Sequence, residues 1–164
     1  MQIKSRLVFA AIFVACAALL GYAIFLQQSE GLEPCPMCIL QRYAYIAVGV
    51  VALVAAIHAP RGTGLKAYAI VAALFALAGT GVAIRHSYLQ HFPPATESCG
   101  TDLEFLLDTF PLTQALPKIF AGTGSCSKVD WRFLGLSIPE WNIVCYGGIA
   151  LLALWAAFRR QPQR

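Results

Sequence analysis

Four long stretches of this chain contain no Asp, Glu, Lys or Arg. They are 17 to 20 residues long and comprise 7–26, 43–59, 67–84 and 141–158. A helix needs about 17 to 25 mainly apolar residues to cross the hydrocarbon core of a membrane. With 59% hydrophobic and only 12% charged residues, the composition agrees with a membrane protein. The sequence therefore predicts an all-α membrane protein, a single domain of residues 1–164 built as a bundle of four transmembrane helices.

Basic and acidic residues are distributed unevenly around these stretches. Seven bases, with no acid among them, lie before the first stretch, between the second and third, and after the fourth: Lys4, Arg6, Arg61, Lys66, Arg159, Arg160 and Arg164. All eight acids lie in segments 27–42 and 85–140. Because cytoplasmic segments retain Lys and Arg, we expect both termini and the 60–66 loop to be cytoplasmic. Segments 27–42 and 85–140 are then the two loops of the outer side.

The charge pattern also excludes one class of partner. The formal net charge of +4 follows from the topology, because the basic residues are concentrated on one side. No basic helix or alternation of aromatic and basic residues indicates nucleic-acid binding. The first apolar stretch is longer than the core of a signal peptide, about 7 to 15 residues, so we expect it to remain as an anchor.

The six cysteines separate into two groups by location. Cys16 and Cys145 lie within apolar stretches, where a thiol packs as a small hydrophobic group. The other four lie in the outer loops: Cys35, Cys38, Cys99 and Cys126. An even number of cysteines on an oxidising side of a membrane predicts two disulfides.

The two predicted pairs differ in kind. A bridge between Cys35 and Cys38 closes a very small ring and gains little loop entropy, so it is a poor structural clamp. Such closely spaced pairs are commonly redox centres. Cys99 and Cys126 enclose a long segment, and a purely structural clamp remains an alternative for that pair.

The residues around Cys35 and Cys38 favour a reactive thiol. Pro36 suits the first position of a helix, so the second helix is expected to begin there. Cys35 is then near the N-cap and Cys38 in the first turn, where backbone N–H groups stabilise a thiolate. Arg42 follows Cys38 by four residues and shares its helical face. The alternative for Arg42 is an anchor whose charge reaches the membrane interface.

The long outer loop contains two short apolar stripes with helical spacing. They occupy residues 103–110 and, after Pro111, residues 112–120. Such amphipathic pieces lie in the membrane interface rather than across the membrane. We expect the loop to run along the bilayer surface, close enough to bring Cys99 and Cys126 to the first pair. A docked loop with no role in transfer is the alternative.

Taken together, these motifs resemble the disulfide-bond-formation protein B family, DsbB. The resemblance rests on CPMCILQR at 35–42, the second cysteine pair in the long outer loop, and WRFLGLSIPEW at 131–141. It covers nearly the whole chain, and the combination is specific, although a single Cys-x-x-Cys motif is not.

This resemblance implies a quinone-dependent thiol oxidase in the bacterial inner membrane, with its active face in the periplasm. It implies redox-active disulfides Cys35–Cys38 and Cys99–Cys126, and a DsbA-like periplasmic thiol oxidant as the partner. The cofactor it implies is a membrane quinone, either ubiquinone or menaquinone. It implies no metal site. Arg42 and His86 match the family's quinone-site residues. Gln41 stands where some members of the family have an acid. Any proton-transfer role of that acid can therefore not be assigned to Gln41.

Three alternatives remain to be compared with this interpretation. A zinc site made of the four loop cysteines has the right number of ligands, but the 99–126 spacing is too wide for a typical structural site. A four-helix membrane scaffold or receptor with purely structural disulfides is the second alternative. The third is the quinone-linked group that resembles vitamin K epoxide reductase, in which the quinone-proximal pair follows the loop cysteines. Here that pair precedes them.

Overall fold

Four long helices form the body of the protein. The computed structural model describes residues 2–31, 34–93, 111–121, 124–127, 129 and 131–158. The long helices are α1 (Gln2–Ser29), α2 (Pro36–His58), α3 (Thr63–His91) and α6 (Ile138–Phe158). All four are long and apolar enough to cross a membrane. The predicted fold class, an all-α bundle of four transmembrane helices, is confirmed. The cytoplasmic location of both termini stays a prediction.

The segment between α3 and α6 adds smaller elements at one end of the bundle. The described residues form α4 (Leu112–Ala121), α5 (Gly124–Ser127) and the antiparallel strands β1 (Arg132–Phe133) and β2 (Leu136–Ser137). Helix α4 covers the second apolar stripe predicted from the sequence. The first stripe, 103–110, and the arginines after the fourth helix lie outside the described residues.

The helices extend beyond the uncharged stretches of the sequence. Helix α2 begins at Pro36 and α3 continues to His91, so parts of both expected outer loops are helical. The connection between α2 and α3 is short, because α2 ends at His58 and α3 begins at Thr63. Ala59 follows the end of α2 in a left-handed conformation with φ 46°. The uncharged stretches mark the hydrocarbon core, whereas a helix continues for as long as its backbone hydrogen bonds are favourable.

Small residues allow the helices to approach one another closely. Helix α3 packs mainly against α6 and also against α2, and α1 packs against α2. The buried residues of α3 include five alanines and one glycine: Ala69, Ala72, Ala73, Ala76, Ala83 and Gly79. Large apolar side chains such as Leu74 and Leu151 point outward. This arrangement is typical of membrane proteins, in which small residues at helix interfaces improve van der Waals packing.

Gly79 of α3 lies directly against the ring of Tyr146 of α6. A Cβ atom at Gly79 would lie 2.6 Å from Cζ of the tyrosine ring. The ring is fully buried and stacks on Tyr45 with 4.1 Å between centroids. Its hydroxyl donates a hydrogen bond to the Gln41 carbonyl. Because Gly79 has no side chain, the Tyr146 ring can lie against α3 while its hydroxyl holds the backbone of α2.

A short hairpin leads the chain into α6. Leu134 and Gly135 both have positive φ, 53° and 83°, as the favoured two-residue hairpin turn requires. The backbone N–H of Ser137 then donates a hydrogen bond of 2.6 Å to the Glu140 carboxylate. This Ser-x-x-Glu arrangement satisfies a backbone donor that the start of the helix leaves unpaired. It defines where α6 begins and hence where its first turn lies.

We expect Gly79→Ala to destabilise the bundle by about 1 to 3 kcal/mol, because the added methyl group meets a buried ring that has no room to move. Gly81→Ala is the matched control, since a Cβ there meets nothing within 4 Å. Thermal unfolding in detergent micelles measures both variants. Equal melting temperatures for the two would contradict the described packing of α3 on α6.

Candidate active site

Cys35 and Cys38 lie together at the start of α2. Cys35 is the N-cap residue and Pro36 occupies the first helical position, so the predicted positions of both cysteines at the start of the helix are confirmed. The Cys38 backbone N–H donates to the Cys35 Sγ over 3.4 Å. The Cys35 thiol in turn donates to the Cys38 Sγ, with 3.1 Å between the two sulfurs. The helix start thus holds the two sulfurs in contact and supplies a backbone donor to one of them.

Cys126 approaches this pair from α5. Its side chain is 1% exposed and packs with Met37, Leu89 and Ile119. Its Sγ lies within 4.8 Å of the Cys35 Sγ. Hydrogen bonding with Cys126, hydrogen bonding with Cys38 and burial all raise the pKa of the Cys35 thiol. The structure therefore brings one cysteine of the long loop to Cys35, as the surface-lying loop predicted.

Cys99 lies outside the described residues. The pairing of Cys99 with Cys126, like the bridge between Cys35 and Cys38, stays a prediction.

Arg42 lies one turn beyond Cys38 and is held by α1. One guanidinium nitrogen donates to the Gln27 Oε1 over 2.7 Å, and the other donates to the Ala23 carbonyl over 3.5 Å. Arg42 lines the same cavity as Cys38. Because a guanidinium is a permanent cation, it favours an anionic group in that cavity. Two acceptors on α1 orient this charge.

The ring of His86, on α3, lies beside the sulfur of Cys35. Its ring is 3% exposed, and its Nε2 lies 3.6 Å from the Cys35 Sγ. Its Nδ1 lies 3.2 Å from the Gln41 Nε2. His86 also lines the cavity that contains Cys38. The residue therefore contacts the dithiol directly.

Sequence reasoning assigned no role to three polar residues of the site, Gln41, Tyr45 and Asn142, and noted Gln41 only because some family members have an acid there. Gln41 is 2% exposed; its side-chain oxygen accepts a hydrogen bond from Asn142, whose own oxygen accepts one from Tyr45. All three are uncharged, so they leave no mark in a charge pattern. The available signal was the amide of Asn142 inside the apolar stretch 141–158, since polar groups within membrane segments are commonly functional.

A cavity of about 360 Å³ opens beside the dithiol, between the four long helices and the hairpin. Its apolar walls include Leu19, Leu20, Leu26 and Ile138, together with the aromatic rings of Tyr22, Trp131, Phe133 and Trp141. Its polar side chains include Cys35, Cys38, Gln41, Arg42 and His86. The volume is within the usual range of small-molecule sites. The cavity fits a planar, largely apolar ring that carries hydrogen-bond acceptors.

The two remaining cysteines differ from each other. Cys16 is buried in the bundle core, 1% exposed, and its Cβ lies against Gly49. It packs as the sequence predicted. Cys145 is partly buried and packs against the same core, but it also forms part of the cavity wall.

Comparison with known proteins identifies the family. The family model "Disulfide bond formation protein DsbB" matches residues 5–156. A disulfide bond formation protein B of Azoarcus sp. (strain BH72) is 53% identical over 95% of this chain and 94% of its own length. The disulfide bond formation protein B of Aromatoleum aromaticum is 52% identical over 96% of this chain and 95% of its own length. That of Methylococcus capsulatus is 46% identical over 90% of this chain and 92% of its own length. The chain belongs to the DsbB family and has a redox role in disulfide bond formation.

Proposed function

We propose that this protein is a quinone-dependent thiol oxidase of the bacterial inner membrane. It reoxidises a DsbA-like periplasmic partner and so supports disulfide formation in periplasmic proteins. The observation that carries the proposal is the row of three neighbouring sulfurs, Cys126, Cys35 and Cys38, of which the last two line an apolar cavity. A scaffold with static bridges has no need of such a row.

The proposed exchange begins at the loop disulfide. A thiolate of the reduced partner attacks the Cys99 sulfur of the Cys99–Cys126 bond, and Cys126 leaves as a thiolate with the electron pair. Cys126 then attacks the Cys35 sulfur of the Cys35–Cys38 bond, and Cys38 leaves as a thiolate. The proximity of Cys126 to Cys35 supports this direction of attack. Each step forms one S–S bond and breaks one.

The partner's second thiol then completes the exchange. It attacks the partner's own sulfur in the bond to Cys99, which releases the oxidised partner and a Cys99 thiolate. That thiolate attacks Cys126 in the Cys126–Cys35 bond and restores the Cys99–Cys126 disulfide. Cys35 is released, so the electron pair and two protons of the partner now reside on the Cys35 and Cys38 pair.

The surroundings of Cys38 are suited to its role as the last thiolate. It lies in the first turn of α2, where the helix dipole favours negative charge. Arg42 adds a fixed positive charge on the same cavity wall. The apolar and aromatic walls exclude water and orient a flat ring. A quinone bound there would supply the two-electron acceptor. Arg42 would donate to one of its oxygens, and the predicted contact of His86 would be made by the ring that lines the cavity, since its two nitrogens face Cys35 and Gln41.

A quinone acceptor also agrees with the redox requirement. DsbA-type partners are strong oxidants, and their regeneration requires an acceptor stronger than ordinary thiols; this requirement is known from the DsbA–DsbB–quinone system itself. The concentration of Lys and Arg at the opposite end of the bundle supports a periplasmic location for this end.

We expect Cys38→Ser to abolish quinone reduction, because the Cys35–Cys38 bond can then not form and no thiolate is released at position 38. The measurement is anaerobic mixing of purified protein, reduced DsbA-like partner and quinone, followed by quinone absorbance and by titration of partner thiols. Cys16→Ala is the control, since Cys16 is packed in the core, and it should retain the wild-type rate. Full activity of Cys38→Ser would overturn the assignment.

Replacement of Arg42 by Met should raise the KM for quinone by about tenfold, the loss expected when a charged hydrogen-bond donor is removed. The KM for the partner should not change, since Arg42 lines the cavity and donates to α1. Arg61→Met, near the opposite end of the bundle, serves as the control. An unaltered KM for quinone in Arg42→Met would argue against Arg42 as a quinone-site residue.

A further inference from the structure

A chain of polar side chains connects Cys35 to the interior of the bundle. The Tyr45 hydroxyl donates to the Asn142 Oδ1 over 3.1 Å, and the Asn142 Nδ2 donates to the Gln41 Oε1. The Gln41 Nε2 faces the His86 Nδ1 over 3.2 Å, and the His86 Nε2 faces the Cys35 Sγ over 3.6 Å. The chain joins α6, α2 and α3, and both Gln41 and His86 are almost completely buried.

The direction of these hydrogen bonds determines the tautomer of His86. Because the Gln41 oxygen accepts from Asn142, the Gln41 amide nitrogen is the group that faces the His86 Nδ1. An amide nitrogen only donates, so Nδ1 must accept, and a neutral imidazole then carries its proton on Nε2. That proton points at the Cys35 sulfur.

The other end of the chain agrees with this direction. The Cys35 thiol donates toward the Cys38 sulfur, and the lone pairs of the Cys35 sulfur can accept a hydrogen bond from the Nε2–H group of the histidine. The His86 ring also lies close to the backbone of Cys126, in the segment that carries the third sulfur.

We propose that Gln41 and Asn142 are positioning residues that hold His86 in the Nε2–H tautomer, so that its ring donates a hydrogen bond to the Cys35 sulfur. The catalytic consequence rests on the thiol-oxidase function proposed above. When the Cys99 thiolate attacks Cys126 in a Cys35–Cys126 disulfide, the new bond joins Cys99 to Cys126. Cys35 leaves with the electron pair of the broken bond, and the Nε2–H group stabilises the thiolate as it forms.

The same tautomer has a second consequence, for metal binding. One ligand atom each from Cys35, His86 and Cys126 lies within 4.8 Å of the others, and two thiolates with an imidazole are good ligands for zinc. A zinc ion needs the Nε2 lone pair, which the Nε2–H tautomer does not offer. The orientation of Gln41 therefore disfavours a metal ion that would block exchange between the sulfurs.

The tautomer can be measured directly. In the full-length, reduced protein with ¹⁵N-labelled histidine in detergent micelles, ring ¹⁵N chemical shifts distinguish protonated from unprotonated nitrogens. His58→Gln and His91→Gln variants assign the His86 signals by elimination. We expect a protonated Nε2 and an unprotonated Nδ1. A protonated Nδ1 in the wild-type protein overturns the proposal.

Asn142→Asp should reverse the tautomer with little change in size. A carboxylate at position 142 only accepts, so the Gln41 amide turns to donate to it and presents its oxygen to the His86 Nδ1. Gln27→Glu is the control for added charge, because Gln27 lies on the cavity wall and contacts Arg42 but not the polar chain. An unchanged tautomer in Asn142→Asp, or a reversed one in Gln27→Glu, contradicts the proposal.

Two functional readouts accompany the spectra. Zn²⁺ should bind reduced Asn142→Asp at least about tenfold more tightly than the wild type, in the range expected when a partner of a metal-binding histidine changes. The rate of disulfide exchange through Cys35 should fall about tenfold, as a lost hydrogen bond to a charged group predicts. The tautomer is measured without quinone or partner, so a failure of quinone reduction would overturn the proposed function without affecting this test.

Discussion

The contact of Cys35 with its neighbours is the interaction on which the rest of the site depends. Its sulfur meets that of Cys38 at 3.1 Å, lies within 4.8 Å of that of Cys126, and is 3.6 Å from the His86 ring. The N-cap position of Cys35 fixes its contact with Cys38, because the start of a helix leaves backbone N–H groups unpaired and the Cys35 sulfur accepts a hydrogen bond from one of them. The packing of α5 on α3 fixes its contact with Cys126. One sulfur is thereby placed between a loop cysteine and a cavity.

The bundle supplies the rigidity that this arrangement requires. Gly79 lets Tyr146 pack fully against α3, and the tyrosine hydroxyl holds the backbone of α2 at Gln41. The hairpin and the bond from Ser137 to Glu140 define the start of α6, which puts Asn142 in reach of Gln41. In a membrane, where unpaired polar groups are costly, such a connected set of hydrogen bonds stabilises one geometry of the dithiol.

Much of this structure could be predicted from the sequence, and the remainder has an identifiable physical reason. The uncharged stretches predicted the four helices, and Pro36 predicted the helix start that places Cys35 at the N-cap. The long reach of α3 to His91 was not predicted, because the charge of Arg85 ended the stretch while the helix continued. The chain through Gln41 and Asn142 was not predicted either, since contacts between neutral polar side chains on different helices have no periodic pattern in a sequence.

The central claim is that electrons pass from Cys126 to Cys35 and leave the Cys35 and Cys38 pair through Cys38. Disulfide mapping tests it most directly. Oxidised protein is mixed with one equivalent of reduced DsbA-like partner without quinone, quenched in acid, alkylated, digested and analysed by mass spectrometry. A Cys35–Cys126 cross-link with Cys38 alkylated is expected at early quench times, followed by a restored Cys99–Cys126 bond with Cys35 and Cys38 both alkylated. A Cys38–Cys126 cross-link, or an intact Cys35–Cys38 bond after the partner has been oxidised, would contradict it.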